Sequence, residues 1–207
     1  MTEPLGTPTQ QASQWLADFA AALSRRDIDA ALALFAPECY WRDLVTFTWN
    51  IKTLASPEQI RVMLEATLDQ VRPSDWAIEG AASEGGGVVD AWFTFETGVA
   101  RGRGHLRLKD GLCWTLLTTM VELKGFEEKK GEHRIKGAEH GAQAGRKSWA
   151  ELRAEEEAAL GTTQQPQVVI IGGGQGGIAL GARLKRLGVL TVIVEKNKRP
   201  GDSWRMR

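Results

Sequence analysis

The chain has 207 residues, 43% hydrophobic and 25% charged, which is the composition of a folded globular protein rather than of a disordered one. Its 26 basic and 26 acidic residues balance, which argues against nucleic acid or an anionic membrane as the main partner. Cys39 and Cys113 are too few for a disulfide framework and lack metal-ligand spacing, so no metal site is expected. Neither a signal peptide nor a membrane-spanning apolar run is present, which predicts a cytoplasmic location.

The first third of the chain carries helical signals. Residues 13–36 have apolar side chains at helical spacing and predict two helices, the second beginning after Asp27. Residues 39–49 are rich in aromatic and β-branched side chains and predict an extended segment. Ser56 is followed by proline, the usual start of a helix, and this third helix is predicted to end before Pro73.

The hydrophobic period then changes to two, which indicates strands. Asp110 and Gly111 form the strongest hairpin signal in the chain. Helices followed by consecutive antiparallel strands predict an α+β domain over residues 1–125, in which the helices cover one face of a curved sheet. The predicted strands are 76–79, 88–97, 100–109 and 112–124.

A polar segment, residues 126–164, is predicted to connect this domain to the last part of the chain. Within it, Ser148 and Glu151 have the spacing of a capping box and predict one helix that ends near Leu160.

Residues 165–207 have the pattern strand, glycine turn, helix, strand. A continuous apolar run precedes the turn, as in a parallel strand that is buried on both faces. Gly172 permits the tight turn, Gly174 lets the backbone approach a pyrophosphate, and Gly177 lets the helix lie close to the strand. Ala179 and Ala182 are predicted at the close helix–sheet contact.

Glu195 follows the second strand and restricts the ligand. A carboxylate at this position accepts hydrogen bonds from a ribose diol and repels a 2′-phosphate, so the fingerprint predicts FAD or NAD rather than NADP. The glycines are not followed by Lys-Ser or Lys-Thr, which excludes a nucleoside-triphosphate P-loop.

The stretches 169–177, 192–195 and Gly201-Asp-Ser-Trp204-Arg together resemble the N-terminal FAD-binding segment of flavin-containing monooxygenases and the related Baeyer–Villiger enzymes. The resemblance selects FAD over NAD and implies contacts from Ser203 and Trp204 to the cofactor. The cofactor-binding residues predicted in this way are Gly172, Gly173, Gly174, Gln175, Gly176, Gly177, Glu195, Ser203 and Trp204.

That resemblance also implies NADPH as the reductant and oxygen insertion at nitrogen, at sulfur or beside a ketone. The family's NADPH fingerprint and substrate pocket are missing, so no catalytic residue is assigned. The expectation is an N-terminal fragment of such an oxidoreductase, with a truncated Rossmann-type βαβ unit and little or no activity alone.

Residues 10–124 resemble the cone fold of nuclear transport factor two-like, or SnoaL-like, domains, on the string from Phe19 to Phe35 and on through Tyr40 to Asp43. This fold hosts isomerases, cyclases, dehydratases and binding modules, and by analogy it permits a homodimer through the sheet. The alternative reading is therefore a stand-alone domain that binds or isomerises a small-molecule substrate, with a vestigial Rossmann tail.

Acid–base candidates in the cone domain are Tyr40, Asp43, Asp90 and His105. Two interpretations of Asp43 are open: a residue at a cavity mouth, or a solvated or structurally paired carboxylate, and the second is favoured. Asp90 is predicted to face away from the core. A strand face carries the basic residues Arg101, Arg103, His105, Arg107 and Lys109, interpreted as solvated or as a docking surface. Trp41, Trp49, Trp76, Trp92 and Trp114 are interpreted as core residues or as the lining of a ligand cavity.

Overall fold

A computed structural model describes residues 6–134, 145–199 and 201–206 of the chain. The chain divides into two compact units, 1–125 and 126–207. Part of the predicted connector, 135–144, lies outside the described residues. Within the described ranges, no helix has both the length and the hydrophobicity needed to cross a membrane.

Three helices belong to the first unit: α1 (Pro8–Ser24), α2 (Ile28–Ala33) and α3 (Pro57–Val71). Asp27 and Ser56 cap α2 and α3 through their side chains, as predicted. α1 begins five residues earlier than predicted because the side chains and backbones of Thr7 and Gln10 form a reciprocal capping box.

Six strands form one sheet in the order β2-β1-β6-β5-β4-β3. All neighbouring strands are antiparallel except β1 and β6, which are parallel. Their bounds are β1 (Phe35–Leu44), β2 (Ile51–Leu54), β3 (Ser74–Gly85), β4 (Val88–Glu96), β5 (Ala100–Lys109) and β6 (Leu112–Leu123).

The predicted strand at 39–49 is wrong in its bounds. β1 begins at Phe35, which pairs with Cys113 of β6, and this pairing ends α2 before the predicted residue 36. The chain leaves the sheet after Leu44 and returns as the short β2, so the single predicted segment is in fact two strands. The turn at Asp110 and Gly111 has positive φ at both residues, 52° and 79°, as expected for a tight hairpin.

The helices and the inner face of the sheet enclose an aromatic core. Phe19 of α1 lies at its centre, with ring centroids 4.9 Å from Trp15, 5.6 Å from Trp76 and 5.8 Å from Trp41. Such edge-to-face and stacked contacts add to the free energy gained from burial alone. The aromatic core consists of Trp15, Phe19, Phe35, Trp41, Phe47, Trp76, Phe93 and Phe95.

The second unit contains α4 (Trp149–Ala159) and a βαβ arrangement. The capping box predicted at Ser148 and Glu151 is present. The βαβ arrangement comprises β7 (Val168–Ile171), α5 (Gln175–Arg186) and β8 (Thr191–Val194), and the two strands are parallel and in register. A short helix α6 (Asp202–Arg205) follows. β7 is not buried on both faces as predicted, because Val169 and Ile171 are exposed on one face.

Two glycines of β5 make room for the aromatic core. A Cβ atom at Gly104 would lie 2.1 Å from Phe93 Cζ and 2.5 Å from the Leu117 carbonyl oxygen.

We expect Gly104→Ala to lower the free energy of unfolding by about 1–3 kcal/mol through overpacking, measured by urea denaturation. Gly85→Ala is the matched control, because a Cβ there meets no atom within 4 Å. Equal stabilities of the two variants would contradict this account of the core.

Candidate functional site

Asp43 is the carboxylate placed deepest in the first unit. It has no exposed surface, and Trp41 lies on the same face of β1. Its Oδ1 accepts a hydrogen bond from Thr118 Oγ1 of β6 at 2.8 Å, and Thr118 Oγ1 in turn accepts one from Trp41 Nε1 at 2.8 Å. This chain of hydrogen bonds crosses from β1 to β6 inside the core.

The loop 45–50 is wrapped around the same carboxylate. Asp43 Oδ2 accepts hydrogen bonds from the Thr48 N–H at 2.8 Å and from Thr48 Oγ1 at 2.7 Å, and the Phe47 N–H lies 3.1 Å away. Val45 has a φ of 58°, which is strained for a β-branched residue. The carboxylate thus holds a loop whose backbone does not relax to ordinary geometry.

The position of Asp43 at a cavity mouth is therefore wrong, and the paired-carboxylate interpretation is confirmed. Four protein donors bond to it, and its neighbour Trp41 is itself part of the aromatic core. A general base needs a lone pair that faces a substrate. In this structure Asp43 serves to satisfy buried donors, as buried polar networks do.

The other acid–base candidates lie outside the core. Tyr40 is exposed and donates its hydroxyl to Glu38, an interaction that raises the pKa of Tyr40. Asp90 faces away from the core as predicted and lies 3.3 Å from His105 Nε2 and 3.1 Å from Arg107 Nε. Partial burial lowers the pKa of His105, although the Asp90 carboxylate opposes this shift.

Most of the basic residues on the outer face of the sheet have acidic partners. Arg103 contacts Glu79 at 2.6 Å, and its guanidinium lies 4.1 Å from the centre of the Trp92 ring. Arg107 is stacked over Trp114 at 4.8 Å. These basic residues are thus held in ion pairs and cation–π contacts, and the interpretation of the face as a docking surface stays a prediction. Of the five tryptophans considered, Trp41 and Trp76 join the aromatic core and the others are outside it.

A concave surface of the first unit lies beside α1. A crevice of about 780 Å³ has an apolar floor of Trp15, Leu34 and Leu108. Its volume is in the range of small-molecule sites. The polar side chains along its rim come from α1: Thr9, Gln10, Gln11, Ser13, Gln14 and Asp18.

In the second unit, the glycine turn requires glycine for conformation and for contact. Gly172 has a φ of 104°, in the region that side chains disfavour. A Cβ at Gly177 would lie 1.9 Å from the Gly172 carbonyl oxygen. At Gly174 and Gly176 a Cβ would meet no atom within 4 Å, so the space above the turn is open. Among the described helices of six residues or more, α5 alone has no side-chain cap at its N-terminus.

The close contact between α5 and the strands is made by glycine, not by the predicted alanines. A Cβ at Gly181 would lie 2.8 Å from Ile193 Cδ1 of β8, whereas Ala179 and Ala182 are exposed. The signal that was missed is the spacing of Gly177 and Gly181, which puts both on one face of the helix.

Glu195 lies against the glycine turn. Its Oε2 accepts a hydrogen bond from the Gly173 N–H at 2.6 Å, and its Oε1 accepts from the Asn197 N–H at 2.9 Å and from Asn197 Nδ2 at 2.8 Å. The bonds from Asn197 and then from Gly173 lower the pKa of the Glu195 carboxyl, so it is ionised at neutral pH.

The turn at 201–205 also reaches the glycine turn. The Gly201 N–H donates to the Gly173 carbonyl oxygen at 3.1 Å. Trp204 is half exposed and its ring approaches Gly201, where a Cβ would lie 3.3 Å from Trp204 Cε3. Ser203 is exposed on the same short helix. The structure therefore brings Glu195 and the turn of Trp204 to the same glycine.

Removal of Asp43 is expected to destabilise the first unit. Asp43→Ala leaves the donors of the loop 45–50 and of Thr118 without an acceptor, which costs about 3 kcal/mol in the free energy of unfolding. Asp90→Ala is the control and is expected to cost less than about 1 kcal/mol, because its ion pairs are partly exposed. Urea denaturation measures both. A loss for Asp43→Ala no larger than for the control would show that the network is not structural.

Comparison with known proteins agrees with the cone fold of the first unit. The model of the SnoaL-like domain family matches residues 16–115. A search of curated proteins found no match. Solved structures similar to part of this chain include a candidate polyketide cyclase from Xanthomonas campestris pv. campestris, at 17% identity over 55% of this chain and 92% of that one, with a TM-score of 0.44.

Two further structures are similar over the same share of the chain. A ketosteroid isomerase-like protein from Erwinia carotovora atroseptica is 8% identical over 57% of this chain and 99% of its own, with a TM-score of 0.48. A Mycobacterium tuberculosis protein in complex with estradiol-17β-hemisuccinate is 16% identical over 55% and 93%, with a TM-score of 0.42. The family model identifies residues 16–115 as a SnoaL-like domain, which has the nuclear transport factor two-like cone fold.

Proposed function

We propose that the chain joins two binding units: a SnoaL-like domain that takes a small molecule, and a Rossmann-type βαβ unit that takes the ADP part of FAD. The match to the SnoaL-like family model supports the assignment of the first unit, because the matched residues 16–115 lie within that unit. The geometry of the glycine turn supports the second. The first is the reading with support from known proteins, and the second rests on this chain's own residues.

In the first unit, the crevice beside α1 is the proposed ligand site. Its floor of Trp15, Leu34 and Leu108 suits an apolar ligand body, and the amide side chains of its rim suit a few polar groups. The aromatic core leaves Asp43 bonded within the protein, so binding is favoured over an isomerase or cyclase reaction at that residue.

Homodimerisation through the outer sheet face stays a prediction, which the molar mass in solution would test.

In the second unit, the single observation that carries the proposal is the bond from the Gly173 N–H to Glu195. It places a carboxylate that suits a ribose diol beside a helix N-terminus that suits a pyrophosphate. The space at Gly174 and Gly176 is open, so the backbone N–H groups of the glycine turn are accessible to a pyrophosphate. Gly172 to Gly177 would hold the pyrophosphate, Glu195 the ribose, and Ser203 with Trp204 would contact the rest of FAD.

Bound FAD would supply two-electron redox chemistry, and the resemblance to flavin-containing monooxygenases makes oxygen insertion the proposed reaction of an enzyme that contains this unit. The residues of this chain then bind and orient the cofactor. NADPH remains the expected reductant, by the same resemblance.

The cofactor proposal predicts a specific effect of Glu195. Glu195→Ala is expected to weaken ADP and FAD binding about tenfold, because one charge-assisted hydrogen bond to the ribose is lost. The variant is also expected to discriminate less strongly between ADP and 2′-phospho-ADP. Isothermal titration calorimetry at neutral pH measures the affinities. Glu156→Ala on α4 is the control and is expected to bind as the wild type does.

Failure of the wild-type chain to bind ADP at millimolar concentration would overturn the cofactor proposal.

The small-molecule proposal is tested by filling the crevice. Gln14 lines it and is exposed, so Gln14→Trp is expected to lower the affinity for the apolar fluorescent probe anilinonaphthalene sulfonate about tenfold by occupying the site. Gln70→Trp, on the exposed surface of α3, adds the same ring elsewhere and serves as the control. Equal probe affinity in both variants would show that the crevice is not the binding site.

A further inference from the structure

Asp202 is the buried residue of the turn that carries Trp204. It is 8% exposed, whereas Ser203, Trp204 and Arg205 around it are exposed. A buried carboxylate is costly unless hydrogen bonds satisfy its oxygens, so its partners indicate what it does in the fold.

The partners of Asp202 lie on both sides of the turn. Its Oδ2 accepts a hydrogen bond from the Arg199 backbone N–H at 3.1 Å. Its Oδ1 accepts one from Arg205 Nη1 at 3.1 Å and lies 3.3 Å from Arg199 Nε. The Asp202 N–H donates in return to the Arg199 carbonyl oxygen at 3.2 Å. One carboxylate thus fixes the residues that enter the turn and those that leave it.

The turn held in this way contacts one glycine of the dinucleotide fingerprint. The Gly201 N–H donates to the Gly173 carbonyl oxygen, while the Gly173 N–H donates to Glu195. Gly173 is therefore bracketed by the ribose-binding carboxylate at its N–H and by the turn of Trp204 at its C=O. A cofactor with its ribose at Glu195 and its pyrophosphate on the glycine turn would therefore have the turn of Trp204 beside it.

From this geometry we infer that Asp202 is a positioning residue of the FAD site, which acts through Gly201 to set Trp204 against the part of the cofactor beyond ADP. This inference rests on the proposed FAD site. Asp202 touches no cofactor atom itself. Asp202 acts on the orientation of the turn, so its removal is expected to change the affinity for FAD but not the affinity for ADP.

The experiment compares ADP and FAD on the same variants. Asp202→Ala is expected to lower FAD affinity about tenfold in titration calorimetry and to leave ADP affinity within about twofold of the wild type. Asp202→Asn keeps one oxygen acceptor for the Arg199 N–H and is expected to lose less. Glu156→Ala is expected to change neither affinity. Circular dichroism checks that each variant is folded.

The outcomes separate the two proposals. No binding of ADP to the wild type would overturn the FAD site itself, and the positioning role with it. Binding of ADP together with an unchanged FAD affinity in Asp202→Ala, or with equal losses for both ligands, would overturn the role of Asp202 alone.

A measurement without ligand tests the link to Gly201 directly. Amide hydrogen exchange of the Gly201 N–H, followed by NMR, is expected to accelerate at least tenfold in Asp202→Ala, because the bond to the Gly173 carbonyl oxygen is no longer held in place. An unchanged exchange rate would show that Asp202 does not hold the turn, and would overturn the inference.

Discussion

Two strands and one loop of the first unit meet at the buried carboxylate of Asp43. Its bonds to Thr118 and to the loop 45–50 join β1 to β6, the parallel pair in an otherwise antiparallel sheet. A buried charge with fewer donors would destabilise the fold, so the loop adopts a strained backbone to bring its N–H groups within reach. The aromatic core then closes over this network, which leaves the open surface of the domain beside α1.

The second unit depends on a different constraint, the close approach of α5 to β7 and β8. Gly177 and Gly181 allow this approach, because any side chain there would overlap the backbone or Ile193. With the helix so close, its uncapped N-terminus meets the end of β7, where Glu195 and the Gly201 turn are also found. Two further segments of sequence, at Glu195 and at Gly201, are thereby bonded to Gly173.

Local signals in the sequence predicted much of this architecture. The caps at Asp27, Ser56 and Ser148, the Asp110–Gly111 turn and the strand–turn–helix–strand order of the second unit each depend on a few neighbouring residues. The nuclear transport factor two-like fold of the first unit followed from the same helices and strands and is confirmed.

Features that depend on distant residues were not predicted. β2 and the early end of α2 follow from pairing across the sheet, and the bonds of Asp43 come from a loop and from a strand 75 residues away. Burial of Asp202 and the contact of Gly181 likewise arise only when the segments of the βαβ unit are packed together. Periodicity identifies which face of an element is apolar, but it does not identify the partner of that face.

The hydrogen bonds of Glu195 have a thermodynamic consequence. A free glutamate side chain on a surface samples several rotamers, and fixing them on binding reduces affinity. Here Gly173 and Asn197 have already fixed the carboxylate before any ligand arrives. If a nucleotide shares this acceptor, it meets a side chain that is already ordered, so little side-chain entropy is lost on binding.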